Sequence, residues 1–205
     1  MLSTEEWCTM TTITARERLI NAAVEAFAEK GFHGTPTRDI AARAGMSPAA
    51  VYVHHESKES LLFTVSLEGH RAALDVIQRA AASETDPVER LRTMIYQFSL
   101  WHADHSRVGR IVQYEYHALT PEHRAEVATI RRSIERTMQD ALADGVDQGV
   151  LDVDDVPGTA FSLLSLGVDL VRWFEPGGSR SGHELATLHA ELAIRMASRR
   201  ELPQA

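Results

Sequence analysis

The stretch Thr35–Leu61, TPTRDIAARAGMSPAAVYVHHESKESL, decides the fold. It reads as two short helices joined by a tight turn, with a third helix starting at once. Thr37 is placed to N-cap a helix that carries Ile40, Ala41 and Ala44 on one face. Gly45 falls just past that helix, where a left-handed residue closes the C-terminus most easily. Ser47 caps a second helix with Pro48 at its first position, where a missing N–H costs nothing. Val51 anchors that helix, and Ser57 opens the next. Helix, glycine turn and short capped helix make a helix-turn-helix, whose second member can lie in the DNA major groove.

Outward from this stretch the chain is helical throughout, with no alternating strand pattern. Upstream, Thr14 and Glu17 form a candidate capping box ahead of a buried stripe, Leu19, Ala22, Ala23, Ala26 and Phe27. Residues 1–13 read as a flexible N-terminal arm, or as an upstream extension with Met10 as an alternative start. Downstream, a long helix runs from Ser57 and breaks at Ala81–Pro87. Further helices are expected over about Leu91–Asp104, Val108–Leu119, Pro121–Gly145, Gly158–Phe174 and Gly182–Arg199.

The Thr35–Leu61 stretch resembles the DNA-binding domain of TetR-type transcriptional repressors. The resemblance rests on Thr37, Ile40, Ala41, Ala44, Gly45, Ser47, Tyr52, His54, Ser57, Lys58 and Glu59. Arg16, Ala22, Ala23, Phe27, Gly31 and Phe32 fit the first helix of that family and its end. One position departs: the family usually has Phe where this chain has His55, and a polar ring there should weaken the small core or lie exposed. The resemblance implies an all-α protein. A helix-turn-helix domain would span 14–60, with its recognition helix at about 47–53, and a ligand-binding and dimerisation domain would span 61–200. It also implies that Thr37, Tyr52 and His54 hold phosphates and that Arg38 reaches a base edge or the backbone. The recognition surface Ser47, Pro48, Ala49, Ala50 and Val53 has small side chains. Specificity there should lean on thymine methyl contacts and DNA shape. Lys58, beside the free N–H groups of its helix start, suits a phosphate.

A formal net charge of −8 looks adverse for DNA binding, so charge has to be read locally. Between Ala15 and Ser60 six basic residues (Arg16, Arg18, Lys30, Arg38, Arg43, Lys58) meet six acids. The segment is neutral and the acidic excess lies elsewhere. What matters is which cations share a face, because phosphate neutralisation is local.

The helix over Gly158–Phe174 is apolar nearly all round, and such a helix must be covered on both sides. One side should pack on its own subunit beside a ligand cavity, the other on a second subunit. With the last helix it would form a four-helix dimer interface through Phe161, Leu164, Val168, Leu185, Leu188 and Leu192, as operator binding by two-fold dimers requires. A core helix buried in a monomer is the alternative. Met94, Phe98, Trp101, Tyr114 and Trp173 supply large side chains that could converge on one cavity. Glu115 and Arg172 are charges among apolar neighbours, which must be paired or used. A second resemblance covers roughly Gln113 to Met196. Glu115, Leu119, Pro121, Glu122, Gly145, Gly149, Arg172, Trp173, Pro176, Gly177 and Gly178 match actinobacterial TetR-type repressors of fatty-acid and sterol breakdown that respond to acyl-CoA thioesters. By implication the pocket takes an acyl chain, with Arg172 near a phosphate-bearing part.

Other chemistries find little footing. One cysteine, Cys8, excludes an internal disulfide and suits a reducing cytoplasm. No apolar run approaches the roughly 20 residues that span a bilayer. His102, His105, His117 and His123 lack a Cys partner or an H-E-x-x-H motif, so neither metal nor cofactor is expected. No nucleophile elbow is present, which argues against an enzyme. Two classes remain: a repressor released by a small hydrophobic, acyl-CoA or drug-like effector, and a small-molecule-binding protein with a degenerate helix-turn-helix.

Overall fold

The computed structural model describes residues 14–198, so the arm expected over 1–13 lies outside the described residues. The described residues form nine α-helices and one short 3-10 turn. The first is α1 (Ala15–Lys30), opened by the Thr14–Glu17 capping box and burying the expected stripe from Leu19 to Phe27. Helices α2 (Thr37–Arg43) and α3 (Pro48–His54) follow, then α4 (Lys58–Ser83) and α5 (Pro87–Asp104). The chain continues through α6 (Ser106–Tyr114), the turn Tyr116–Ala118, α7 (Pro121–Asp147), α8 (Val156–Trp173) and α9 (Gly182–Ala197).

Local chemistry accounts for the helix-turn-helix. Thr37 is the first residue of α2 rather than its cap; Pro36 holds the cap position and offers no side-chain bond. The neighbouring hydroxyl, Thr35 Oγ1, turns inward instead, 2.7 Å from the Gly31 carbonyl and 3.0 Å from that of Ala26, which ties the loop to α1. Gly45 has φ of +68°, a conformation that costs glycine nothing, and lets the Met46 N–H reach back to Ala41. Ser47 Oγ accepts from Ala50 N–H at the start of α3, and Ser57 with Ser60 forms a capping box for α4.

Two cores result. The smaller packs Leu19, Phe27, Ile40 and Val51 with Leu61 and Leu62 of α4, and is sealed by Ile111, Leu119 and Val127 from the later helices. A boundary at residues 60–61 therefore falls in the first turn of a continuous helix. His55 belongs to this layer: only 7% of it is exposed, so the ring is packed away rather than displaced outward. Its Nε2 finds no hydrogen-bond partner, and burial holds its pKa below the usual imidazole value. The larger core centres on α5, which packs against α4, α7, α8 and α9 through Leu91, Met94, Ile95 and Phe98. At Gly109 a Cβ would lie 2.4 Å from Val171, so a side chain there would push α6 off α8.

Candidate DNA interface and effector cavity

The expected recognition surface is presented outward. Ser47, Pro48 and Ala49 are exposed, Ala50 is half-buried, and Tyr52 and Val53 are 55% and 80% exposed although large and apolar. His54 is exposed beside them, and half-buried Thr37 opens the preceding helix. The cations separate into two groups. Lys30 pairs with Asp39 at 3.0 Å, Arg43 with Glu29 at 2.6 Å and Glu25 at 3.2 Å, and Arg16 with Glu68 at 2.9 Å. Arg38 is held only loosely, 3.7 Å from Asp39, with 80% of its side chain exposed. It stands extended from α2, the helix before the recognition helix. Lys58 differs from its expected role as a phosphate contact. Its ammonium donates to the carbonyls of Phe32 at 2.7 Å and Thr35 at 3.0 Å and sits over the Phe32 ring. With two of three N–H groups committed, Lys58 is first a clamp between α4 and the loop after α1.

Behind this domain a cavity of about 220 Å³ is walled by α4, α5, α6, α7 and α8. Of the expected ligand residues, Phe98 and Trp101 line it. Met94 does not; it is fully buried in the α5 core. Tyr114 and Arg172 line an adjoining surface groove that shares Gln113, Ser165, Val168 and Val171 with the cavity. Arg172 is two-thirds exposed there and pairs with Asp169 at 3.2 Å. Trp173 lies in a separate groove with Phe174 and Leu188. Glu115 leaves the cavity altogether: α6 ends one residue earlier, and the carboxylate accepts the Phe32 N–H at 2.9 Å.

Three residues expected at the dimer interface, Phe161, Leu164 and Val168, also line the cavity. Phe161, 65% exposed, stands at its mouth, whereas Leu164 is 6% exposed and faces inward. Leu185, 4% exposed, packs in its own subunit on Ala103, Leu170 and Phe174. Leu188 is exposed and Leu192 half-buried, which leaves them with Phe161, Trp173 and Met196 on the outer face of α8 and α9.

Sequence reading missed the polar part of the cavity: His70, His102, Gln113, Arg131 and Glu135. For His102 a signal existed, since it continues the buried stripe Leu91, Ile95, Phe98 along α5. Burial pushes its pKa down to about 4. His70 is also lowered, again chiefly by desolvation. His105 points outward and stacks on Trp101. Among the described residues no cluster of three or more metal-ligating side chains occurs.

Two carboxylates join the cavity region to the DNA-binding layer. Glu115 holds Phe32 from the end of α6. Glu59, in the first turn of α4, accepts the Thr120 N–H at 2.9 Å and lies 2.8 Å from His123 Nδ1 at the start of α7. Phe63 stacks flat on His123, with ring centroids 3.7 Å apart.

An exposed recognition helix on a three-helix head, joined to a helical body with a cavity, defines a ligand-responsive DNA-binding transcriptional regulator. Residues 19–65 match the bacterial regulatory proteins of the tetR family, and residues 84–197 match the tetracyclin repressor-like C-terminal domain. The chain belongs to the TetR family. The HTH-type transcriptional repressor KstR2 of Mycobacterium tuberculosis is 30% identical over 186 residues, covering 87% of this chain and 90% of KstR2. A bacterial regulatory protein of the tetR family from Rhodococcus RHA1 superposes with a TM-score of 0.87 at 38% identity, covering 93% of this chain and all of that one. AibR, solved with isovaleryl coenzyme A and operator DNA, shares the fold at a TM-score of 0.79 and 24% identity, over 87% of this chain and 97% of AibR. No helix among the described residues is long and apolar enough to cross a membrane.

Proposed function

We propose that the protein is a homodimeric repressor released from a palindromic operator by a long, largely apolar anion, an acyl-CoA of lipid metabolism. The observation that carries this reading is the path from cavity to DNA head. Val108, Gly109, Val112 and Gln113 of α6 wall the cavity, and the residue just after α6, Glu115, grips the head at Phe32. An occupant that displaces α6 therefore moves α1 against α4 and changes the separation of the two recognition helices in a dimer. Release requires only that the effector favour the non-DNA state by about 1–3 kcal/mol.

Size and lining support a chain-like occupant. The cavity, about 220 Å³, is below the roughly 300–1,000 Å³ of pockets that enclose whole drug-sized ligands. It suits the buried chain of a thioester, with the coenzyme left outside. Eight methylenes would contribute about 0.8 kcal/mol each, ample to offset the shift between states. The adjoining groove leads outward past Arg172, which is placed to meet an anionic moiety. Exposed Phe161, Trp173, Leu188 and Met196 on α8 and α9 supply the face for the second subunit. The degenerate helix-turn-helix loses ground, since α3 is capped and His55 packed in place.

Titrating the protein–operator complex with acyl-CoAs of increasing chain length, beside the matching free acids, tests the proposal. Release by the thioesters at micromolar concentration is expected. Release by cationic or aromatic drugs alone would replace this reading with a drug-sensing repressor.

A further inference from the structure

We propose that the cavity selects an effector whose buried end carries a hydrogen-bond donor, a hydroxyl group, received by the Nε2 atoms of His70 and His102. The inference rests on the cavity being the effector site and adds the chemistry of the group it holds.

His70 stands on α4 and His102 on α5, both in the cavity wall. Each turns Nδ1 toward the carbonyl four residues earlier: His70 to Ser66 at 2.7 Å, His102 to Phe98 at 2.8 Å. A carbonyl oxygen can only accept, so Nδ1 carries the hydrogen in both rings. A neutral imidazole so fixed presents a lone pair at Nε2. Among the described residues neither Nε2 has a hydrogen-bond partner, and neither is sealed in the packing as the Nε2 of His55 is. Burial lowers the pKa of both rings, that of His102 to about 4, and so favours the neutral form of each. The His102 ring is held in place by Phe98, with centroids 4.3 Å apart, and by Trp101 edge-on at 4.9 Å.

Arg131 and Gln113 keep N–H groups of their own, so the acceptor character belongs to the two imidazoles rather than to the whole wall. Ser165 Oγ donates to the Phe161 carbonyl at 2.8 Å. Arg131 is engaged by Gln113 Oε1 at 3.1 Å and lies against the Tyr116 ring. Glu135 adds a further acceptor. Two fixed acceptors in an apolar wall receive a hydroxyl. A ketone, ester or carboxylate there sets lone pair against lone pair and leaves buried polar atoms unpaired.

The full-length protein can be probed with a ten-carbon secondary alcohol and the ketone of the same skeleton, comparing dissociation constants by calorimetry. The alcohol should bind about tenfold tighter or more, as expected when one buried polar group is left unpaired. His102→Phe should bring the two ligands near parity, whereas His102→Gln, which keeps an acceptor, should retain the preference. Equal binding of alcohol and ketone by the wild type, or binding of neither, overturns the assignment; so does a preference that survives His102→Phe. The thioester arm is separate: decanoyl-CoA bearing a hydroxyl near the far end of its chain should release operator at lower concentration than decanoyl-CoA itself. Failure of both thioesters beside a clear alcohol preference would sink the acyl-CoA reading and leave the donor site standing. Equal release by the two thioesters, with equal alcohol and ketone binding, would do the reverse.

Discussion

Arg38 and Lys58 show how one charge type serves two ends. The Arg38 side chain is 80% exposed on the helix before the recognition helix, and Lys58 is spent on two backbone carbonyls. Arg38→Ala should weaken operator binding by roughly 1–3 kcal/mol if it reads a base, and lower the salt-dependence slope by about one if it meets a phosphate. Lys58→Ala should instead destabilise the fold by about 1–3 kcal/mol, with little change in that slope, because charged hydrogen bonds to buried carbonyls are lost. Urea denaturation beside binding at several salt concentrations separates the two; an unchanged midpoint with a shallower slope for Lys58→Ala would restore it as a phosphate contact. His102 carries a pH signature. With a native pKa of about 4 against about 6.5 in the unfolded chain, only the unfolded chain binds its proton between those values. Stability should therefore fall as pH drops from about 6.5 to about 4, by up to on the order of 3 kcal/mol from this residue. His102→Phe should flatten that fall in part, leaving what His55, His70 and His189 contribute. A urea midpoint with the same pH profile in both proteins would contradict a neutral His102. The caps at Thr14, Ser47 and Ser57 were legible in the sequence because they are local chemistry. The partners of Lys58 and Glu115 were not, because loop geometry sets them.

At the scale of elements, helix periods identified which residues share a face but not which face turns inward. The apolar stripe of α1 could point only one way and was readable in full. Helix α8 is apolar on two faces, and its sequence could not say which one meets the cavity. On α8, Leu164 belongs inside the subunit while Phe161 remains outside, and on α9 Leu185 and Leu188 divide in the same way. The cavity walls suffered most, since they come from five helices and combine residues far apart in the chain. These placements separate two leucines that looked equivalent. Leu188→Glu should leave thermal stability nearly unchanged and yield monomers that bind operator weakly, as a carboxylate in a closed apolar interface is costly. Leu164→Glu should instead destabilise the fold itself, because the charge would sit against the cavity and core. Sedimentation velocity combined with melting curves distinguishes these outcomes; a Leu188→Glu dimer with wild-type affinity would move the interface off α9.

At the scale of the molecule, the cavity and the DNA head share the continuous helix α4 and a packed apolar seam, and two hydrogen-bonded joints across that seam can be cut one at a time. Helix α6 forms a wall of the cavity, packs against α1, α4 and α8, and ends on the Glu115–Phe32 hydrogen bond. Glu59, by contrast, fastens α4 to the start of α7. If α6 carries the signal, Glu115→Ala should leave effector affinity for the free protein nearly intact, because Glu115 is absent from the cavity wall. What should change is the ratio of effector affinities with and without operator. Linkage makes that ratio equal to the change in operator affinity caused by effector, so it can be measured from either side. Losing one hydrogen bond to a carboxylate, about 1.5–3 kcal/mol at most, should reduce the ratio several-fold toward one, so that more effector is needed to clear the operator. Gln at this position keeps an acceptor of similar reach and should recover most of the coupling. Fluorescence anisotropy on labelled operator, titrated with decanoyl-CoA for wild type, Glu115→Ala and Glu115→Gln, provides the three ratios. An Ala variant with the wild-type ratio would mean that the signal crosses elsewhere, and the Glu59–His123 joint between α4 and α7 would be the next bond to cut.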